Sequence, residues 1–446
     1  MEIISSYAIE IKHMDKCFRY TIRIFNDAVS FCVKVFEDNW NDLKELKTSD
    51  KSRFRYADKL IHSTSSNTAK YPDFDKKFYK LPSFLRFSVI NTALGYLSSY
   101  HSNLLLWENS KQNTKKPSIQ YKLNEFPSFY KENMYDENEC FSNNTVKLKL
   151  FMNNDWVWVD VKLKPTDVKN ILKRCKTESI SSPTIKKENK KWVLRFAFTK
   201  SVKLNNTKIN EQNILAVDLG INTDATCSIM NKEGTVLERK FINFKSEKDL
   251  LYHTLNKIKK VQKKYGSNNI TKLWKIAKFR NDELAKKIAK EIVTLAKKNN
   301  CDVIVFEHLD VKGKKKGSKK EKLQMWKKNT IQKIVENKAH KEGIRISRIC
   351  AYNTSKLAFD GSGEVLRGKK GNLPTYELCL FKNNKVYNCD LSASYNIGAR
   401  YFLREIQKTT SVKKWSGIVA KVPECQKRTQ CTYSTLLKVN KLLKEA

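Results

Sequence analysis

The chain has 446 residues and a formal charge of +41, from 87 Lys plus Arg against 46 Asp plus Glu. So large an excess, spread along the whole length, points to a polyanionic partner and away from a small acidic substrate. A hydrophobic content of 40%, with 22 Phe, 18 Tyr and 8 Trp, excludes a disordered chain. Lys far outnumbers Arg, a bias that an AT-rich coding sequence also produces, so the net charge is the firmer signal. No apolar run approaches the roughly 18 residues of a membrane span, and Met1–Ser6 carries a glutamate and no apolar signal core. Eleven scattered Cys, an odd number, fit a reducing compartment better than a disulfide framework. The expectation is a cytoplasmic nucleic-acid-binding protein, long enough for several domains.

In chain order, residues 1–13 alternate partially and predict a strand. From about Asp15 to Leu46 the period turns helical, with Ile22, Phe25, Ala28, Val29, Cys32, Val35 and Phe36 on one stripe. A second helix is expected from Leu81-Pro82-Ser83 to Trp107, with Leu85, Val89, Ala93, Tyr96, Leu97 and Tyr100 as a packing face and proline near its start. From Pro117 the period becomes two. Strands are predicted at 118–121, 146–151, 156–161 and 192–198, with Asn153-Asn154 as a hairpin turn. Trp156 and Trp158 share one strand face, which reads as core or as a base-stacking platform. Strands on both sides of a helical segment predict a β-barrel with helices inserted in it. Two basic helices follow at about 247–265 and 270–299. Lys312–Lys328 then holds nine Lys, one Glu and two Gly; it is either a solvated loop or a clamp on a phosphate backbone, with Lys314, Lys315, Lys316, Lys319, Lys320, Lys327 and Lys328 as candidate contacts.

Three carboxylates stand at predicted element ends. Asp218 closes the apolar run Ile214-Leu215-Ala216-Val217, with Gly220 two residues on, and Glu307 closes Val303-Ile304-Val305-Phe306. Asp390 precedes the helix-forming Leu391–Phe402 stretch. A carboxylate at the end of a buried strand is costly unless it is paired, hydrogen-bonded or bound to metal. Asp218 also suits an ordinary turn, and Asp390 an ordinary N-cap. Taken together, the three could converge on one or two divalent cations for in-line phosphodiester hydrolysis. The order Asp, Glu, Asp in this context resembles the RuvC-type nuclease of the RNase H fold.

The ordered set Val217-Asp218-Leu219-Gly220-Ile221-Asn222, Phe306-Glu307, Gly343-Ile344 leading to Thr354-Ser355, and Asp390-Leu391-Ser392-Ala393-Ser394-Tyr395-Asn396-Ile397 resembles the TnpB family. These are transposon-encoded RNA-guided nucleases, ancestral to type V CRISPR effectors. Leu81-Pro82-Ser83 and Pro117 are similar to the family's N-terminal half. The resemblance implies an α/β plus β-barrel fold: a wedge β-barrel (1–13 and 117–210), a helical recognition domain (14–116), an RNase H-like RuvC domain (211–343 and 390–446) and a target-nucleic-acid-binding insert (344–389). It implies Asp218, Glu307 and Asp390 as catalytic ligands of Mg2+, two ions in all, with Asp218 bridging them. It also implies a guide RNA and double-stranded target DNA as partners, and action at a bacterial nucleoid. Guided repression without cleavage and DNA strand transfer are the competing activities; the oligomeric state stays open.

One departure from the family is plain. Its members place two Cys pairs between the second and third carboxylates. Here Lys356-Leu357-Ala358-Phe359-Asp360-Gly361 has no Cys, and only Cys379 stands where the second pair falls. Structural zinc needs four ligands, so the insert is expected to fold without zinc, on its apolar residues.

Overall fold

The computed structural model describes residues 1–12, 16–49, 51–110, 115–120, 127–130, 133–136, 142–175, 179–188, 191–266, 270–308 and 325–445. The chain divides into two compact units, Glu2–Ser201 and Val202–Ala446 with Met1.

In the first unit β1 (Glu2–Glu10) leads into α1 (Lys16–Asp38), whose expected stripe is buried throughout. The single helix anticipated over 15–46 is broken at Asn39 before α2 (Trp40–Glu45). Buried Asn39 donates to Val35 O (2.7 Å) and to the Tyr71 hydroxyl (3.0 Å), and accepts from Lys70 Nζ (2.8 Å). A side chain that competes for backbone partners in this way disfavours helix continuation. Helices α3 (Ser52–Ile61), α4 (Asp73–Lys77) and α5 (Ser83–Asn109) follow. Leu85, Val89, Ala93 and Leu97 of α5 are buried, each large one contributing about 1.5–3 kcal/mol.

The strands after α5 are β2 (Tyr135–Asp136), β3 (Thr145–Met152), β4 (Asp155–Lys162), β5 (Ser179–Ile180), β6 (Thr184–Glu188) and β7 (Lys191–Ser201), with helix α6 (Pro165–Arg174) after β4. Asn153 and Asn154, at φ 51° and 61°, make the β3–β4 turn; positive φ at both positions is what a tight hairpin turn requires. The strand predicted at 118–121 is not formed: 115–120 is irregular, and Tyr121 lies outside the described residues. Trp156 is buried, whereas Trp158 is 46% exposed with Lys149 Nζ 6.0 Å from its ring centre. The shared face therefore runs off the core edge.

The expected barrel is not seen as a closed sheet. Among the described residues β1, β7, β5 and β6 form one sheet and β2–β3–β4 another. They meet at corners through the Ile11–Leu163 bridge and the Lys12 N–H to Lys162 O bond (2.9 Å). Helices and strands of this unit share one apolar cluster, from Ile9 and Phe18 to Leu148 and Phe196. Among the described residues the helical part thus shares its core with the strands.

The second unit is built on β8 (Ile214–Asp218), β9 (Ala225–Met230), β10 (Val236–Ile242), β11 (Val303–His308) and β12 (Arg345–Cys350), in the order β10-β9-β8-β11-β12. β9 runs antiparallel to β8 and β10, while β8, β11 and β12 are parallel. Renumbered within the sheet this is 3-2-1-4-5, the RNase H-like arrangement expected above. Helices α7 (Lys245–Tyr265), α8 (Thr271–Lys298) and α9 (Lys328–Lys341) join β10 to β11 and β11 to β12. A small insert with β13 (Leu366–Arg367), β14 (Leu378–Leu380) and β15 (Val386–Asn388) precedes α10 (Cys389–Thr409), α11 (Val412–Lys421) and α12 (Tyr433–Lys444). One sheet face carries Leu215, Val217, Ile304 and Phe306 against α8 and α9. The other carries Ile214, Ala216, Val303 and Val305 against α10. Burial on both faces is why these strands read as unbroken apolar runs.

Candidate active site

β8 and β11 pair in parallel with Phe306 opposite Val217. One residue further, Asp218 and Glu307 leave the same end of the sheet. Because side chains alternate along a strand, both lie on the face of Ala216 and Val305, which α10 covers. Asp390 is in the first turn of α10. Its rival role as N-cap belongs to Asn388, whose side chain accepts from Leu391 N–H at 2.9 Å. That leaves the Asp390 carboxylate uncommitted to the cap.

The backbone around Asp218 admits little change. A Cβ at Gly220 would fall on the carbonyl oxygen of Thr223. The Gly220 N–H reaches Asp224 O (3.4 Å), and the buried Asp224 carboxylate accepts from Phe244 N–H (2.7 Å) and pairs with Lys248 (3.4 Å). Gly398 plays the matching part on α10. A Cβ there would overlap the Met230 side chain of β9, so glycine lets the helix settle close enough to hold Asp390 over the strand ends.

Glu307 is held by three neighbours. The Thr354 hydroxyl donates to its carboxylate, and Gln332 Nε2 donates to its carbonyl (3.0 Å). Buried Arg400 lies near enough for mutual attraction. Arg400 itself donates to the carbonyls of Cys350 (2.9 Å), Tyr352 (2.7 Å), Thr429 (3.0 Å) and Cys431 (3.0 Å). Asn396 donates to Thr354 O and Leu357 O (both 2.9 Å), tying the Thr354 loop to α10. Arg367, on β13 of the insert, donates to Ser355 O and sets a positive charge beside Asp218 and Asp390.

Charge is strained here. Desolvation, and then the carboxylates of Glu307 and Asp390, push Asp218 well above the usual carboxylate range, and the Arg367 guanidinium offsets only part of this. Burial raises Glu307 too, against the Thr354 hydrogen bond and Arg400. It likewise raises Asp390, against Arg367. Among the described residues no three acidic, imidazole or thiol groups are gathered tightly enough to form a ready-made cation cage. The donor set still fits a hard cation. It consists of carboxylate oxygens whose charged forms are disfavoured for want of positive charge, and Mg2+ takes one or two carboxylates and completes its shell with water and phosphate oxygens.

Lys314, Lys315, Lys316, Lys319 and Lys320 lie outside the described residues. Lys327 pairs with Asp282, and Lys328 lies over the Trp326 ring at 5.6 Å. In the insert, Cys379 and Cys389 are buried with Ala358 and Phe381. Their thiols donate to Tyr387 O and Ser355 O, both at 3.4 Å, while Cys350 is exposed at the end of β12. The insert thus has a small apolar core.

Comparison with known proteins follows the same lines. The Aq_aa04 family matches residues 5–152. The TnpB-like protein aq_aa05 of Aquifex aeolicus (strain VF5) is 26% identical over 236 residues, 49% of this chain and 76% of that protein. The resemblance to the TnpB family is borne out. It extends to the fold of a type V effector: the cryo-EM structure of Cas12f1 with sgRNA and target DNA aligns over 85% of this chain and 81% of its own, at 15% identity and a TM-score of 0.53. Within this TnpB-like frame Thr354 was visible as part of a motif but without a role. Arg367 and Asp224 gave no signal, because a single Arg in so basic a chain, or an Asp in a polar turn, is unremarked until the fold brings it to the site.

Proposed function

We propose that this protein is an RNA-guided DNA endonuclease with one active site, formed by Asp218, Glu307 and Asp390. The observation that carries the reading is the gathering of three carboxylates, far apart in sequence, at one end of the RNase H-like sheet, where Asp218 feels the charge of both others. The TnpB-like relative and the likeness to Cas12f1 in its complex with sgRNA and target DNA support guide RNA and double-stranded DNA as partners. On this reading 1–13 and 117–210 act as the wedge, 14–116 as the recognition helices, and 344–389 as the target-binding insert.

The carboxylates would hold Mg2+, and when bound the ions supply a more acidic attacking water and neutralisation of charge on the scissile phosphate and leaving oxygen. The chain's own residues do the rest. Thr354 and Arg400 oppose the rise that burial gives the Glu307 carboxyl, Asn396 fixes the Thr354 loop to α10, and Arg367 offsets part of the repulsion between Asp218 and Asp390. Sequence choice is left to RNA–DNA pairing, and the protein's excess charge grips duplex shape and backbone. With one acid cluster, the two DNA strands are cut in turn.

The test is to purify the protein from cells expressing its native locus and sequence the RNA that accompanies it. One abundant structured RNA with a variable 3′ end is expected. RNA-free protein, or protein with random fragments, would refute the guided reading.

A further inference from the structure

Between α11 and α12 the chain makes a tight loop with a cysteine at each end. Cys425 lies in the turn Pro423–Gln426, and Cys431 immediately precedes Thr432, the cap of α12. The two thiols are in hydrogen-bond contact, Cys425 donating to the Cys431 sulfur. Both line a cavity of about 80 Å3, which has room for several molecules the size of water. Cys431 is buried in the apolar cluster that α10 packs on, whereas Cys425 is half-buried at its edge. The cavity reaches solvent at Cys350 and Arg428, both exposed. Cys379 and Cys389 of the insert are hydrogen-bonded in the same way, but both are sealed from solvent.

The two sulfurs have opposite characters. The Cys425 hydrogen bond, and after it Arg400 and Arg428, hold the Cys431 thiol below the ordinary thiol range, with burial opposing them. The same hydrogen bond pushes Cys425 up and keeps its proton in place. A thiolate-prone sulfur beside a protonated partner, in a cationic pocket that solvent reaches, is the setting in which cysteine is reactive. The loop is also tied to the acid cluster. Arg400 donates to Cys431 O and Thr429 O (both 3.0 Å), and the same guanidinium attracts Glu307. A change in the loop therefore changes the hold on Arg400.

We infer that Cys425 and Cys431 are a redox-active dithiol, oxidised to a disulfide by a small hydroperoxide, and that the disulfide slackens Arg400 beside Glu307. The Cys431 thiolate attacks hydrogen peroxide: an S–O bond forms, the O–O bond breaks, and the leaving hydroxide takes up the proton that Cys431 had released. The Cys425 thiol then attacks that sulfur: the S–S bond forms, the S–O bond breaks, and hydroxide leaves with the Cys425 proton as water. Two thiols thus lose two electrons and two protons to one peroxide, which becomes two waters. Sulfurs in hydrogen-bond contact must close to about 2.05 Å. Cys431 then gives up its bond to Glu424 O (3.3 Å), and its carbonyl, which Arg400 holds, moves with it. The consequence for cleavage rests on the nuclease reading; the dithiol does not.

The experiment treats the full-length, RNA-loaded protein with hydrogen peroxide, blocks the remaining thiols in denaturant, and reads tryptic peptides by mass spectrometry. Lys427 and Arg428 lie between the two cysteines, so trypsin separates them and a disulfide appears as two joined peptides. Expected are a Cys425–Cys431 link in wild type, reversed by dithiothreitol, and a dimedone-trapped sulfenic acid on Cys431 in Cys425→Ser. Free thiols at Cys425 and Cys431 when exposed Cys350 is already oxidised overturn the dithiol, as does a link from Cys350 to either. Cleavage of a guide-matched plasmid is measured on the same samples. Loss on oxidation, recovery on reduction and no loss in Cys431→Ser support the effect on Arg400. Equal loss in wild type and Cys431→Ser, or no loss in either, overturns it. A Cys425–Cys431 link in protein that never cuts DNA, oxidised or reduced, keeps the dithiol and refutes the nuclease reading instead.

Discussion

Asp218 is placed by the strand and opposed by its surroundings, and that tension is measurable. Its ionised form is disfavoured by desolvation and by Glu307 and Asp390, so Asp218→Asn is expected to stabilise the metal-chelated protein by about 0.5–2 kcal/mol, as removal of functional-site strain commonly does. The sign with pH follows from linkage. A carboxyl whose folded pKa exceeds its unfolded value holds more protons when folded, so stability falls as pH rises from the ordinary carboxylate range through the raised value. Thermal melts in chelator across pH 4 to 8 should show that decline in wild type and a shallower one in Asp218→Asn; identical slopes would count against the coupling. Thr354→Val removes the hydroxyl that donates to Glu307 while keeping its shape. Loss of a hydrogen bond to a charged group is worth roughly 1.5–3 kcal/mol. We expect DNA cleavage to fall at neutral pH and its acid limb to move to higher pH, with target binding retained. An unchanged pH–rate profile would show that Thr354 does not govern Glu307.

At the scale of elements, local chemistry was legible where it was periodic or punctuated. The α1 stripe, the α5 face and the Asn153-Asn154 turn all follow from spacing and from the φ preferences of asparagine. The break at Asn39 was not legible, since its partners Tyr71 and Lys70 are more than thirty residues away. Nor was the loss of the 118–121 strand, because alternation describes a half-buried surface and does not supply a partner strand. The three carboxylates could be read as strand and helix ends; that Asn388 and not Asp390 caps α10 could not, since both residues are good caps. Gly398 is the element-scale dependence most open to test. Gly398→Val should drive a side chain into Met230 and cost about 1–3 kcal/mol by overpacking, lowering cleavage as α10 lifts Asp390. Pairing it with Met230→Ala should recover much of the melting temperature; additive losses would mean that the close approach of α10 to β9 is not the cause.

For the whole molecule, the excess of positive charge was the clearest feature of the sequence, and its consequence is steep: target affinity of the RNA-loaded protein should fall linearly in log–log with salt. The insert's apolar core of Ala358, Cys379, Phe381 and Cys389 leads us to expect well under one zinc per chain in untagged protein by elemental analysis, and stoichiometric zinc would contradict it. What the sequence could not convey is that helices and strands of the first unit share one apolar cluster, because a shared core is a property of contacts between distant segments. The central claim is that one cluster of three carboxylates performs guided cleavage. Its most direct test is a plasmid-cleavage assay with Mg2+ and the co-purified RNA reprogrammed to a chosen target, run on wild type and on Asp218→Ala, Glu307→Ala and Asp390→Ala. The account predicts that wild type cuts only the matched plasmid, and that each variant fails to cut while still binding RNA and target. Cutting that persists in any of the three, or that proceeds without a matching guide, would contradict it.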